Sequence, residues 1–184
     1  MRLSKTDVDG VFIIEPEIIE DKRGFFACSW TPIDFEKNGL DSRLVQCNIS
    51  FNKRKGTVRG MHFQREPVAE VKVVRCTRGA IYDVAIDLRP DSPTLYRWVR
   101  AELTADNHRM LYIPKGFAHG YQTLSDETEV FYQNSEYYHP ESAGGVRWND
   151  PVFGIDWPLP VSVIAERDAT YPSLEVLKTS VSVD

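Results

Sequence analysis

Cysteine is scarce in this chain: Cys28, Cys47 and Cys76 are the three in 184 residues. They are too few and too scattered for a disulfide framework or a zinc knuckle. The expectation is three reduced thiols in a cytoplasmic protein. Long apolar runs are missing as well, and none approaches the roughly 18 residues that span a bilayer. The opening residues, Met1-Arg2-Leu3-Ser4-Lys5-Thr6-Asp7, lack the apolar stretch of a secretory signal. There is no basic excess: 22 Lys and Arg stand against 27 Asp and Glu, a net charge of −5. That balance argues against a nucleic-acid binder. Histidines number four, and none stands at the i, i+2 or i, i+4 spacing of a ligand set. No metal is therefore expected. Repeats, low-complexity tracts and linkers are also absent, so residues 1–184 read as one domain.

Present instead is frequent, evenly spread turn punctuation, as in Arg23-Gly24, Lys55-Gly56, Arg78-Gly79, Pro90-Asp91-Ser92-Pro93 and Pro114-Lys115-Gly116. Between the turns lie short runs rich in β-branched and aromatic residues, which predict strands. They cover 11–14, 25–30, 44–51, 57–63, 71–77, 80–88, 96–103, 110–113 and 129–133. Within Ala80 to Asp87 the two aspartates fall four apart, on one face of a strand with one lined and one packed side. Short helices are predicted at 33–38, ended by Gly39, and at 164–169. The fold class is all-β, a sandwich or small barrel with a few short helices.

The stretch that carries chemistry is Arg59-Gly60-Met61-His62-Phe63-Gln64, with Lys72 following. A histidine is a good general base near neutral pH, and cations beside it suit an oxyanion formed when that base removes a carbon-bound proton. A metal site built on His62 would call for a second histidine two residues on, and Gln64 stands there. Taken alone, His62 reads first as a hydrogen-bonded core residue, Lys72 as a solvated lysine, Tyr132 as a packing tyrosine and Asp168 as a surface acid; the neighbourhood of Arg59 and Lys72 shifts the balance for His62. A strand tyrosine facing a pocket can, however, return a proton to a carbanion.

The chain resembles the nucleotide-sugar 3,5-epimerases, the RmlC-like cupins, from about residue 9 to residue 172. The resemblance rests on Asp21-Lys22-Arg23-Gly24-Phe25-Phe26, Val45-Gln46-Cys47-Asn48 and the Arg59–Gln64 stretch. It continues through Arg78 to Val84, Pro114-Lys115-Gly116-Phe117-Ala118-His119-Gly120, Glu129-Val130-Phe131-Tyr132 and Trp148-Asn149-Asp150-Pro151. It implies a cupin jelly roll, a homodimer whose N-terminal strand reaches the neighbouring site, and no cofactor. The implied reaction inverts C3, C5 or both on a nucleotide-linked 4-keto-6-deoxyhexose through an enolate. By the same resemblance His62 is the base, oriented by Asp168; Lys72 holds the enolate oxygen; and Tyr132 delivers a proton to the opposite face. Arg59 and His119 would hold substrate and diphosphate, with Arg23 and Arg167 nearby. Phe26 and Tyr138 would flank the nucleobase, and Gln46 and Asn48 would complete the substrate contacts. A ketoisomerase, a mono-epimerase and a non-catalytic nucleotide-sugar-binding cupin are the alternatives. The chain departs from the family pattern at Cys28, Cys47 and Ala143, where carboxylates are usual, and at Glu70, usually glutamine. The first three predict weaker discrimination between nucleotides, or a preference for a nucleotide other than dTDP, such as CDP.

Overall fold

The computed structural model describes residues 1–176. In chain order the elements are β1 (Arg2–Lys5), β2 (Phe12–Glu15), β3 (Ile19–Asp21), β4 (Gly24–Phe26), α1 (Pro32–Lys37), β5 (Gln46–Asn52), β6 (Thr57–Gln64), β7 (Lys72–Arg78) and β8 (Ala80–Asp87). There follow β9 (Trp98–Thr104), β10 (Met110–Ile113), β11 (Phe117–Thr123), β12 (Thr128–Asn134), β13 (Ala143–Gly145), β14 (Val163–Ile164) and α2 (Glu166–Ala169). Two sheets face each other, one ordered β1-β2-β10-β7-β12-β5 and the other β13-β6-β11-β8-β9, with β14 added beside β6. The crossovers between non-consecutive strands make this a β-sandwich, the class that the turn spacing predicted, and of the cupin type that the resemblance implied. Among the described residues, no helix is long and apolar enough to cross a membrane.

Period-two alternation sorts the side chains into three apolar layers. Val74, Ile81, Ala85, Leu103, Leu111 and Val130 point between the sheets and fill one end of the sandwich. Val71, Val73, Phe12 and Ile14 point outward from the first sheet and are covered by α1 through Phe35. That helix begins with Pro32 in its first turn and ends before Gly39, whose φ of +72° suits glycine. Phe35 is 1% exposed and lies 5.8 Å from the Tyr112 ring. Tyr82, Val84 and Ile86 cover the outer face of the second sheet. The far end of the sandwich interior is left open.

Strand β11 lies outside every predicted run, although all seven of its residues are buried. Its sequence, Phe-Ala-His-Gly-Tyr-Gln-Thr, has little β-branched character, and its glycine argues for a turn. The predicted strand over 25–30 shortens to a hairpin arm ending at Phe26, paired with β3. Both arms of that hairpin are exposed.

Candidate active site

The open end of the sandwich is a cavity of about 430 Å³. One wall comes from the first sheet: Gln46, Asn48 and Ser50 on β5, Lys72 on β7, and Tyr132 and Asn134 on β12. The opposite wall comes from the second: Arg59, His62 and Gln64 on β6, and His119 and Tyr121 on β11. Arg167, Tyr171 and Tyr138 close the rim.

Arg59 and His62 should not share a wall, because residues three apart on a regular strand face opposite sides. The β6–β11 register explains how they do. His62 is opposite His119 and Arg59 opposite Tyr121, so Gly60 and Met61 together face the single residue Gly120. This is a β-bulge, and it returns His62 to the cavity. Met61 turns outward and is fully buried in the cluster behind the sheet. The strands cross closely here: a Cβ on Gly60 would lie 2.5 Å from the Gly120 Cα, and Gly60 has φ of +131°. Only glycine satisfies both conditions.

The bulge also frees a backbone donor, since the Gly60 N–H donates to Asp168 Oδ2 at 3.1 Å. Asp168 Oδ1 meets His62 Nε2 at 2.8 Å. From local sequence Asp168 reads as a surface acid, yet it is 3% exposed, carried under β6 by α2. Burial pushes its carboxyl up, but the hydrogen bond and charge of His62, the Gly60 N–H and Arg167 outweigh this, leaving it below the ordinary carboxylate range. Burial lowers His62 and the nearby Lys72 and Arg167 add to this; the Asp168 hydrogen bond and charge oppose it without cancelling it. His62 is therefore a neutral imidazole at pH 7, with Nε2 tied to Asp168 and Nδ1 left for a substrate. Tyr171, which no motif signalled, stands edge-on to the His62 ring at 5.8 Å.

Deeper in the cavity, His119 gives Nε2 to Asp83 Oδ1 at 2.7 Å and packs against the Tyr132 ring at 6.1 Å. Burial drives the Asp83 carboxyl up against the pull of His119 and Lys72. Asp83 is one of the two aspartates whose spacing pointed to a lined strand face. The other, Asp87, serves the scaffold instead, accepting hydrogen bonds from Arg89, Ser92 and Thr94 and so fixing the 89–94 loop. Tyr132 stands well above the ordinary phenol value, first through burial and then through neighbouring Tyr121 and Asp83. It keeps its proton throughout the neutral range. Lys72, far from being solvated, pairs with Glu70 at 3.1 Å inside the wall.

Arg23 and Phe26 lie away from this cavity. Arg23 reaches back to Asp21 of its own hairpin at 2.5 Å, and Phe26 is 71% exposed. Of the three departures from the family pattern on the nucleoside side, only Ala143 lines the cavity of its own chain; Cys28 and Cys47 are exposed elsewhere.

This is a cupin-type sandwich whose cavity holds an imidazole–carboxylate pair, a lysine and a half-buried phenol, the groups an isomerase of this fold would need. The family model for dTDP-4-dehydrorhamnose 3,5-epimerase matches residues 5–176, and the chain belongs to that family of isomerases. A dTDP-4-dehydrorhamnose 3,5-epimerase of Methanothermobacter thermautotrophicus is 47% identical over 176 residues, covering 94% of each chain. The structure of the Mycobacterium tuberculosis rmlC epimerase superposes with a TM-score of 0.94 at 34% identity, over 98% of this chain and 92% of that one. The Legionella pneumophila epimerase, solved with dTDP-4-keto-L-rhamnose, gives 0.91 at 38% identity, over 98% and 96%.

Proposed function

We propose that the cavity epimerises a dTDP-linked 4-keto-6-deoxyhexose at the carbons flanking its ketone. One observation carries the reading: His62 and Tyr132 stand on opposing sheets, across the cavity from one another. Inversion needs this arrangement, because the proton leaves one face of the sugar and arrives on the other. His62 takes the C–H proton, the bond's electron pair passes to the C4 oxygen as an enolate, and Lys72 stabilises that oxygen. Tyr132 then gives its O–H proton to the opposite face while the carbonyl re-forms. The phenolate regains a proton and His62 releases its own, so the net change is configuration alone. Asp168 holds the imidazole in the working tautomer and stabilises its cation. Arg59, Arg167 and His119 hold the substrate and its diphosphate, for which a guanidinium is suited by its planar fork. Gln46, Asn48 and Tyr138 are the nucleoside contacts, and the chain acts as one catalytic domain.

The test separates acid from base. In D2O, Tyr132→Phe should still wash deuterium into the substrate while forming little epimer. Equal loss of wash-in and inversion would reduce Tyr132 to a positioning residue.

The working unit we propose is a homodimer. Phe25 and Phe26 are 53% and 71% exposed on the β3–β4 hairpin, and edge strand β5 exposes Ile49 and Phe51 at 67% and 44%. Such apolar edges are normally covered. In a dimer the hairpin would carry Arg23 and Phe26 to the partner's cavity. Removal of the hairpin should abolish dimer and activity together; an active monomer by light scattering would defeat this assignment.

A further inference from the structure

Glu70 is the only carboxylate in the cavity wall among the described residues. It lies ahead of β7, where Ala69 and Val71 are buried at 3% and 4% and the Val71 N–H donates to Ser135 Oγ at 2.8 Å. With its neighbours anchored on one side, Glu70 falls on the same side as Lys72, two residues on. Their side chains are 12% and 15% exposed, and Glu70 Oε1 is 3.1 Å from Lys72 Nζ. The wall thus presents one fixed acceptor beside one fixed donor. An anionic, diphosphate-bearing ligand gains nothing from a carboxylate in its cavity, unless the carboxylate accepts a hydrogen bond from it.

The ligand class that matches a neighbouring donor and acceptor is an α-hydroxyketone. Its carbonyl oxygen accepts, its hydroxyl donates, and the two oxygens, on adjacent carbons, lie within hydrogen-bonding distance of each other. We propose that Glu70 is a specificity-determining residue: it accepts from the hydroxyl on C3 while Lys72 donates to the oxygen on C4. This rests on the proposed function, since it takes Lys72 to hold the ketone oxygen. The pair then reads the two functional groups together and sets the ring so that its flanking C–H bonds meet His62. Lys72 keeps two further N–H donors for the substrate beyond the one given to Glu70.

The test pairs enzyme variants with a trimmed substrate. Wild type, Glu70→Ala and Glu70→Gln are each given the 4-keto-6-deoxyhexose nucleotide and its 3-deoxy analogue. Deuterium wash-in at C5 is measured on both, because that C–H is activated by the ketone in either compound. Glu70→Ala should lower kcat/KM for C5 exchange roughly 10- to 100-fold on the 3-hydroxy substrate, the usual cost of losing a charged hydrogen bond. On the 3-deoxy analogue the same change should cost less than about threefold, since no hydroxyl is left to lose. Glu70→Gln retains shape and an acceptor oxygen and should fall between, with the same difference between substrates. That variant decides the matter should Glu70→Ala fail to fold. Equal losses on both substrates would overturn the inference and leave Glu70 acting through Lys72 alone. Absence of exchange at both C3 and C5 in wild type on the 3-hydroxy substrate would instead overturn the epimerase reading beneath it.

Discussion

Two imidazole–carboxylate pairs meet across one ladder of the second sheet. His62 and His119 are register partners on β6 and β11, and each gives Nε2 to an aspartate, at 2.8 and 2.7 Å. The aspartates live differently. Asp168 has a second oxygen satisfied by a backbone N–H and an arginine beside it, and its carboxyl is held down. Asp83 is wholly buried, its second oxygen has no partner, and its carboxyl is pushed up. The His62 side chain is 31% exposed at the cavity, whereas that of His119 is 5% exposed. Pairing with an aspartate therefore does not by itself single out the proposed base. What sets His62 apart is a fully satisfied carboxylate, held down, behind it and an accessible ring in front.

The largest expected effect comes from breaking the pair at β6. Asp168→Asn should lower the rate of deuterium wash-in by roughly 10³- to 10⁴-fold, as for a buried aspartate that orients a catalytic histidine. Its pH dependence carries a sign. As the proposed base, His62 would work unprotonated, and its folded value lies below the ordinary imidazole value of about 6.5. The acid limb of kcat/KM in the wild type therefore lies below that pH. Asp168 raises His62, so removing it should move the limb lower still; a limb that moved upward would refute the electrostatic account.

A smaller loss is expected from Gly120→Ala, which attacks the crossing on which the pair depends. The new methyl would lie 2.5 Å from Met61 Sδ, 2.7 Å from the Arg59 carbonyl oxygen and 3.0 Å from the Gly60 Cα. Overpacking of this kind costs about 1–3 kcal/mol, read as a lower denaturation midpoint. Activity should fall by at least roughly tenfold, since Arg59 and His62 both shift. A fully active variant of wild-type stability would show that the bulge tolerates a side chain.

Asp83→Asn should be the mildest change. An amide resembles a carboxyl driven towards its neutral form, so kcat/KM should fall by less than about tenfold. A loss as deep as that of Asp168→Asn would mean that the second pair is charged and catalytic, and the contrast between the two would collapse.

Much of the fold is legible in the sequence, for reasons that differ by element. β10 is bounded to the residue because four apolar residues sit between clear turn signals. The helix predicted at 33–38 from the glycine that ends it is found one residue earlier, at Pro32–Lys37. β11 escapes such a reading because its strand character comes from lying between β6 and β8, a tertiary cause that local propensity cannot register. Asp168 offers no signal of its own, since its meaning depends on a backbone donor 108 residues earlier in the chain. Tyr171 is invisible for the same reason. The two aspartates of β8 read as one face, but only packing divides them into a partner for His119 and a clamp for the Arg89 loop.

The three-residue step from Arg59 to His62 also bears on transplanting this site. Copied onto an uninterrupted strand of a designed barrel, the same letters would send arginine and histidine to opposite sides of the sheet. A designer would have to move the bulge and both glycines with them, or close the step to two residues and forgo the amide that anchors Asp168. The unit that can be grafted is a backbone irregularity spanning two strands, and the side chains come with it.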